Sequence, residues 1–468
     1  MMKARKTFRL TLVASLLLAN WAAAGAVVAA EPGGRQTTSK PDATSSAAGE
    51  QQAAPNVVFK VVGSEPQPDR YLVNRRLLVG PWHNRPEEYE GYNGFVGWAG
   101  VARLRSGRWL VTFTSGAWHG SPPWTDEIRQ DPKSREYFEK YVWMGPEGNR
   151  YPARPDIRSP RGGRAHIMDS NDQGQTWSVP KTLVDTELDD RHPTIIELDD
   201  GTLLCTFFAW GLPTVDKDLN RRAHYMRSRD GGETWSQPAE PPGGGGGFGN
   251  GPAIQLADGT VIWVTDAGKM DPKLDHNVIA VYRSSDRAQT FELASVVSTD
   301  RKLHEPSVAE LPGGRLVMVT RPRGEICWSD DQGRSWTRLV PTGAIIHDPH
   351  LMMMPNGVLA CFGWMPGGGV RVILSPDQGR TWHGPGEGFG YAVDPSVYGY
   401  SHPMLLPDGT IYIVFQHTGG HSAADARTCA IWAMRVRIYD GADGIEVLPA
   451  PGSPAATFSS SQFGPPQN

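Results

Sequence analysis

Short apolar segments of strand length recur along the chain in pairs, and each pair is joined by a turn that contains glycine. Six such pairs begin at Trp98, Arg191, Gly249, His304, His347 and Tyr400. Two apolar runs separated by a short glycine-containing turn are typical of a β-hairpin. The pattern therefore predicts six β-hairpins.

A second motif alternates with these hairpins and has the form Ser-x-Asp-x-Gly-x-Ser/Thr-Trp/Phe. Clean copies occupy residues 170–177, 228–235, 329–336 and 375–382, and a degenerate copy occupies residues 284–291. An aspartate side chain can accept hydrogen bonds from backbone N–H groups ahead of it, and glycine allows a positive φ. Each copy is therefore predicted to be a turn between strands, with its aromatic residue anchored in a core.

Together the two patterns give a unit of four strands that occurs six times. Such a unit cannot bury both of its faces alone, so the units must pack against one another. An open β-solenoid is the alternative arrangement, but six four-stranded units favour closure around an axis. We therefore predict an all-β fold, a six-bladed β-propeller over residues 57–448.

Composition agrees with many short elements and excludes one class of partner. The sequence contains 54 glycines, 39 prolines and 16 tryptophans, more turn-forming residues than an average protein has. Lys and Arg total 46 against 50 Asp and Glu, so the formal net charge is −4. Nucleic-acid-binding surfaces are strongly basic, and no nucleic-acid partner is predicted.

The first 30 residues resemble a secretory signal peptide. Basic residues precede the apolar segment 10–24, and small residues stand before Glu31. The alternative is a membrane anchor, but the apolar run is short and no stop-transfer pattern follows. We expect cleavage, a secreted or periplasmic protein without a membrane anchor, a disordered linker over 31–56 and a disordered tail over 449–468.

The four cysteines stand in apolar, strand-like segments without metal-ligand spacing: Cys205, Cys327, Cys361 and Cys429. They are predicted to be buried small apolar residues, and no disulfide is predicted.

Candidate chemistry comes from the inner edge of the propeller. In this fold the innermost strands converge on the axis, so residues at their starts line one mouth. Counting nine residues back from each hairpin glycine gives one position per blade: Trp98, His192, Asn250, Glu305, Asp348 and Tyr400. A set with two acids, a histidine and a tyrosine at equivalent positions is unlike the composition of a buried core. These six positions, called here the ring positions, are the candidate site.

The Ser-x-Asp-x-Gly-x-Thr-Trp copies resemble the Asp-box of the sialidase superfamily, whose fold is a six-bladed β-propeller. The resemblance covers about residues 57–440. In that family the boxes lie on the outer rim, away from the active site, and they also occur in propellers without catalysis. Sialidases hold the substrate carboxylate with three arginines. They use a tyrosine nucleophile activated by a glutamate, and an aspartate donates the proton.

Two elements of this sequence resemble the family's catalytic elements. Glu305, followed sixteen residues later by Arg321, is similar to the glutamate and the second arginine. Tyr400-Ser401 is similar to the tyrosine element of the last blade. The resemblance thus implies Tyr400 as nucleophile, Glu305 as its base and Arg321 as a carboxylate ligand. Arg371 is the candidate for the third arginine.

The first arginine departs from the family pattern. Arg191-His192-Pro193 is similar to the family's Arg-x-Pro element, and Asp216 then has a plausible spacing for the proton donor. The repeat count, however, places Arg191 in the second blade, whereas the family element belongs to the first. Either an extra blade precedes it or the anion site has moved one blade along. In the second case the donor would come from the insertion 117–165, with Asp126, Asp131 and Asp156 as options.

Five histidines flank the ring and raise the question of a metal: His192, His304, His347, His350 and His402. With Asp348 and Glu305 they offer metal-ligand chemistry. Hydrogen bonding to a sugar is the alternative, and the irregular spacing favours it. We expect His192 and Asp348 to contact substrate and predict no metal and no cofactor.

These observations predict an exported, monomeric exo-glycosidase of the sialidase type, acting on a glycan or glycoconjugate. It would hydrolyse a terminal acidic sugar with retention of configuration. Two alternatives stay open: another exo-glycosidase or lyase on the same scaffold, and a carbohydrate- or protein-binding propeller without catalysis.

Overall fold

The computed structural model describes residues 58–62, 68–117, 120–137, 160–211, 221–243, 251–267, 278–365, 368–386, 389–397, 399–417 and 429–456. The predicted signal peptide, the whole of the predicted linker and the last twelve residues of the tail lie outside these ranges. Strands dominate the described residues, and the short helices among them include α1 (Pro68–Asn74), α2 (Asp126–Gln130) and α3 (Pro132–Tyr137). No helix in the described part of the chain has the length and apolar character needed to cross a membrane.

Six antiparallel sheets follow one another along the chain and form the blades of a β-propeller. Blade I contains β3 (Phe95–Arg103), β4 (Trp109–Gly116), β5 (Arg164–Ser170) and β6 (Lys181–Val184). Blade II contains β7 (Asp189–Glu197), β8 (Leu203–Trp210) and β9 (Arg221–Ser228). Blade III contains β10 (Ile254–Gln255), β11 (Val261–Ala267), β12 (Val278–Ser284) and β13 (Glu292–Val297). Blade IV contains β14 (His304–Glu310), β15 (Leu316–Arg321), β16 (Glu325–Ser329) and β17 (Val340–Pro341). Blade V contains β18 (His347–Met353), β19 (Leu359–Trp364), β20 (Val370–Ser375) and β21 (Tyr391–Asp394).

Blade VI combines the two ends of the propeller. Its strands are β22 (Ser401–Leu405), β23 (Ile411–His417), β24 (Ala430–Ile438) and β25 (Ile445–Leu448), joined by β1 (Phe59–Val61) and β2 (Arg76–Val79). β1 pairs with β25, and β2 pairs with β24. The all-β, six-bladed prediction is confirmed, but the count of four strands per blade is not uniform. Blade II has three described strands, and blade VI has six because the N-terminal segment joins it.

The predicted hairpin turns form in every blade. In blade II, the Leu198 amide donates to the Thr202 carbonyl over 2.8 Å, and the Gly201 amide donates to the Leu198 carbonyl over 2.9 Å. Gly201 has a φ of 85°, which favours glycine over residues with a Cβ. The same pair of bonds recurs at the other five hairpins, so the nine-residue count starts from equivalent residues.

The predicted box turns also form, with one bonding pattern in all five copies. In the first copy, Asp172 accepts bonds from the Thr176 amide over 2.9 Å and the Thr176 hydroxyl over 2.6 Å. The Ser170 hydroxyl donates to Asp172 over 2.8 Å and accepts from the Gly174 amide over 2.9 Å. The degenerate copy keeps the pattern with Ala288 in place of glycine.

Six clusters of buried apolar side chains lie among the described residues, one between each pair of neighbouring blades. Each box aromatic packs against the cluster between its own blade and the preceding one: Trp177, Trp235, Phe291, Trp336 and Trp382. The predicted anchoring is therefore present, although the four tryptophans are half-buried. Blade VI has no box, and Phe59 and Tyr71 of the N-terminal segment fill the cluster between blades V and VI.

The four cysteines are buried and free, as predicted.

Candidate active site

Four of the ring positions have an unusual backbone near the start of the innermost strand of their blade. Trp98, His192, Glu305 and Asp348 have φ values of 50°, 52°, 45° and 52°. Each stands where the pairing between the first two strands of its blade shifts register. A bulge of this kind turns a side chain away from the regular alternation of the strand, and a non-glycine residue with positive φ costs about 1–3 kcal/mol. These four ring side chains are therefore set by a repeated strained bulge, whereas Tyr400 has no positive φ.

Tyr400, Glu305 and Arg321 meet in one hydrogen-bonded group. The Tyr400 hydroxyl donates to Glu305 Oε1. Arg321 Nη1 donates to the same oxygen over 2.6 Å and to the Tyr400 oxygen over 3.2 Å. The backbone amide of Asp348 donates to Glu305 Oε2 over 2.9 Å. Three predicted site residues from blades IV and VI thus come together, and the carboxylate has donors on both oxygens.

Electrostatics fixes the protonation of this group. Burial by itself raises the pKa of Glu305, but the Arg321 charge and the Tyr400 hydroxyl outweigh burial and lower that pKa to about 2. Burial, together with the Glu305 charge, raises the pKa of Tyr400 well above its usual value. At neutral pH the group is therefore an ionised carboxylate, a neutral phenol and a guanidinium cation.

Arg321 reaches this group from the second strand of blade IV. It pairs across the sheet with His304, the residue before Glu305, so the sixteen-residue offset places the two side chains side by side. Its side chain is 28% exposed while Glu305 is buried. Part of the Arg321 side chain therefore stays accessible.

The other two predicted arginines are buried and bonded to protein groups. Arg191 is 2% exposed, pairs with Asp189 over 2.5 Å, and has its guanidinium carbon 4.3 Å from the centre of the Trp98 ring. Arg371 is 4% exposed and donates to the carbonyls of Gly368 over 2.8 Å and Gly390 over 3.1 Å. Both are held by internal partners, so the structure does not present them with Arg321 as the expected three-arginine group.

The register question is answered by the strands. Arg191 lies in β7 of blade II, and the described segments preceding blade I supply β1 and β2 to blade VI. The disagreement with the family's first-blade arginine is therefore real, and no extra N-terminal blade is seen in the described residues.

The proton donor is not placed by the structure. Asp216, Asp156 and the ring position Asn250 lie outside the described residues. Asp131 ends α2 and accepts a hydrogen bond from the Ser134 amide over 2.7 Å, which together with the Ser134 hydroxyl lowers its pKa. Asp126 lies in the first turn of α2. Asp131 thus has a structural role as a helix cap, and its lowered pKa is unsuited to proton donation at neutral pH.

Beside Tyr400, blades II, V and VI bring four more buried polar side chains together. His192 Nε2 lies 4.0 Å from Asp348 Oδ1, and His350 Nε2 lies 3.4 Å from Asp348 Oδ2. The rings of His350 and His402 have centroids 4.7 Å apart, and the His192 ring lies 6.0 Å from the Tyr400 ring. Burial lowers the pKa of His192 and His402, so both are neutral at pH 7.

The positions of His350 and His402 in the site follow from a sequence pattern that the nine-residue count did not include. Both stand seven residues before a hairpin glycine, Gly357 and Gly409, which is two residues after a ring position. Side chains two residues apart on a strand point to the same face. A second count at seven residues identifies both.

Comparison with known proteins agrees with this architecture. The BNR repeat-like domain family matches residues 162–357. Among solved structures, a protein of unknown function from Dyadobacter fermentans is 16% identical, with a TM-score of 0.56 over 84% of this chain and 100% of that chain. NanB sialidase from Streptococcus pneumoniae is 12% identical, with a TM-score of 0.51 over 76% and 70% of the two chains. The leech intramolecular trans-sialidase is also 12% identical, with a TM-score of 0.51 over 75% and 70%.

No curated protein sequence matches the chain. The repeat match agrees with the box turns of residues 162–357, and the six sheets give the chain the fold of a six-bladed β-propeller. At these identities the structural likeness shows the fold alone, so an activity must be argued from the residues of the site.

Proposed function

We propose that the protein is an exported exo-glycosidase that removes a terminal acidic sugar with retention, using Tyr400 as nucleophile. The observation that carries this proposal is the contact of Tyr400, Glu305 and Arg321. A phenol is a poor nucleophile at neutral pH and needs a neighbouring base. Glu305 is hydrogen-bonded to the phenol, and Arg321 beside it suits a substrate carboxylate.

Substrate binding would change the protonation balance of the pair. In the free protein the Arg321 charge lowers the pKa of Glu305, which makes the carboxylate a weak base. A substrate carboxylate on Arg321 would offset that charge and raise the pKa of Glu305. The base would therefore strengthen when an acidic sugar is bound, which favours acidic over neutral substrates.

The reaction follows with atoms and charges in balance. The Tyr400 oxygen attacks the anomeric carbon while its proton passes to Glu305, and the bond from that carbon to the leaving oxygen breaks. An acid, for which Asp216 is the prediction, protonates the leaving oxygen. Water then attacks the anomeric carbon from the vacated side and gives a proton to that acid. The tyrosine oxygen leaves and regains its proton from Glu305, so configuration is retained.

A covalent trap tests the nucleophile. A fluorinated sialoside should label Tyr400, as located by peptide mass spectrometry, and Tyr400→Phe should abolish labelling and lower kcat by about 10³-fold or more. Glu305→Gln should slow labelling by about 10²–10⁴-fold, the usual contribution of a general base. Tyr225→Phe is the matched control, because Tyr225 donates to the Gln289 carbonyl away from the ring. Normal turnover by Tyr400→Phe would remove Tyr400 from the mechanism.

The burial of Arg191 and Arg371 favours a second candidate, a glycosidase or lyase for an acidic sugar held by one arginine. Sialidase chemistry in this family uses three. A panel of sialosides and uronic-acid glycosides separates the two, since turnover of uronides alone would select the second candidate. Binding of both classes without turnover would instead select a carbohydrate-binding propeller.

Export is part of the same proposal and is tested separately. The N-terminus of the mature protein, expressed from the full reading frame, should be found near Glu31. An intact N-terminus with the protein retained at the membrane would favour an anchor.

A further inference from the structure

We infer that His192, Asp348 and His350 form a site for a divalent transition-metal ion such as Zn²⁺ at the inner end of blades II and V. All three side chains are buried, and the ligand atoms that they offer lie within 4.8 Å of one another. Two imidazoles and one carboxylate, with a position left open, are a common ligand set for zinc and related metals.

The spacing of these atoms is wider than direct hydrogen bonding and close to that of shared ligation. His350 Nε2 and Asp348 Oδ2 are 3.4 Å apart, and His192 Nε2 and Asp348 Oδ1 are 4.0 Å apart. Charge-assisted N–H···O bonds are about 2.7–2.9 Å long. Two ligands each about 2.0–2.1 Å from a tetrahedral zinc ion stand about 3.3 Å apart. A small inward movement of His192 would complete the triangle around an ion.

The Asp348 carboxylate is also incompletely hydrogen-bonded. No hydrogen bond to Asp348 Oδ2 is found in the described part of the chain. The nearby Arg321 guanidinium is paired with Glu305. A buried carboxylate oxygen without a hydrogen bond is unfavourable, and a divalent cation between Asp348 and the two imidazoles would offset that cost.

His402 lies next to His350 at this group. Its ring lies 4.7 Å from the His350 ring, and its Nδ1 has no hydrogen bond to any described residue. His402 is therefore placed to act as a fourth ligand or to hold a water on the ion. The sequence had favoured hydrogen bonding over metal because the histidine spacing is irregular, but the ligands come from three blades and share no linear spacing.

A metal ion at this site would also hold the neighbouring Glu305 carboxylate in position. Asp348 offers its side chain to the ion while its backbone amide donates to Glu305 Oε2 over 2.9 Å. An ion that holds Asp348 would thereby hold one donor of the Glu305 carboxylate. The metal site itself does not depend on the proposed glycosidase activity.

Direct metal binding tests the inference. The full chain, stripped with a chelator, should bind one Zn²⁺ at the site in calorimetry, and Co²⁺ should give the visible absorption of a four- or five-coordinate ion. Asp348→Asn and His350→Gln should each weaken Zn²⁺ binding by about 100-fold or more, and Zn²⁺ should raise the Tm of the wild type but not of these variants.

His224→Gln is the matched control, because His224 and the more exposed Glu240 form a histidine–carboxylate pair with an Nε2–Oε1 distance of 3.7 Å. Its Zn²⁺ affinity should equal that of the wild type. Circular dichroism establishes that the stripped variants are folded, and Asp348→Asn keeps the side-chain volume for that purpose. A wild type that binds Zn²⁺ no more tightly than folded Asp348→Asn would overturn the inference, whatever the enzymatic activity proves to be.

Discussion

At the scale of single residues, the three candidate arginines differ in what their guanidinium groups already touch. Arg321 shares the Glu305 carboxylate and keeps 28% of its side chain exposed. Arg191 is paired with Asp189, and Arg371 is bonded to two backbone carbonyls. A side chain that is buried and bonded to protein groups must give up those bonds before it can hold a ligand. Substrate recognition should therefore depend on Arg321.

Arg321→Lys should raise the KM for an acidic glycoside, or the Kd of the free acidic sugar, by about 10- to 100-fold. The lysine keeps the charge but loses the forked geometry, and a hydrogen bond to a charged group contributes about 1.5–3 kcal/mol. Arg371→Lys is the matched control. It should lower Tm through its lost carbonyl contacts and leave KM within about twofold. The opposite pattern would restore Arg371 as a carboxylate ligand.

A site residue could be predicted where its position repeats from blade to blade, and could not be predicted where it depends on contacts between blades. Counting from the hairpin glycines identified Glu305 and Tyr400 because each blade repeats the same local geometry. The burial of Arg191 was not predictable, because Trp98 belongs to another blade and no local pattern links the two. The metal group likewise draws His192 from blade II and Asp348 and His350 from blade V, so their closeness is a property of ring closure.

At the scale of elements, the box turn was predictable because its hydrogen bonds lie within eight residues. Asp172, Ser170 and Thr176 bond to one another and to the turn backbone. What the sequence could not show is the packing of the turn. Gly174 has a φ of 84°, and a Cβ there would lie 2.8 Å from the indole of Trp109. Glycine at position 174 is therefore needed both for the positive φ and for the close approach of the Trp109 ring.

Gly174→Ala should destabilise the protein more than Gly107→Ala. Both glycines belong to blade I and have similar φ values of 84° and 90°, but a Cβ at Gly107 would meet no atom within 4 Å. The left-handed conformation costs each alanine about 1–2 kcal/mol, and crowding against a rigid buried ring adds about 1–3 kcal/mol at Gly174. Denaturant midpoints measure the difference. An equal loss of stability in the two variants would show that the Trp109 ring shifts to accommodate the added Cβ without a cost in free energy.

At the scale of the whole molecule, the propeller is closed by segments from opposite ends of the chain. Blade VI takes β1 and β2 from the N-terminal side, and buried Arg75 pairs with Asp394 of blade V, with Nη2 2.8 Å from Oδ1. Phe59 and Tyr71 stack edge to face, with ring centroids 4.9 Å apart, in the cluster between blades V and VI. The sequence predicted closure but not this route, because β1 and β25 are nearly 400 residues apart and pairing at that distance leaves no periodic signal.

If this N-terminal segment closes the ring, one side chain of α1 should matter far more than its neighbour. Tyr71 is fully buried and its hydroxyl donates to the Ala392 carbonyl over 3.4 Å, whereas Leu72 is half exposed. Tyr71→Ala should lower the free energy of unfolding by about 3–5 kcal/mol, as loss of a large buried aromatic does, while Leu72→Ala should lie within about 0.5 kcal/mol of the wild type.

Guanidinium unfolding followed by circular dichroism and tryptophan fluorescence should give coincident single transitions for both variants, because each blade shares its apolar clusters with two neighbours. Equal stabilities, or a separate early transition in the wild type for blade VI alone, would contradict closure by this segment.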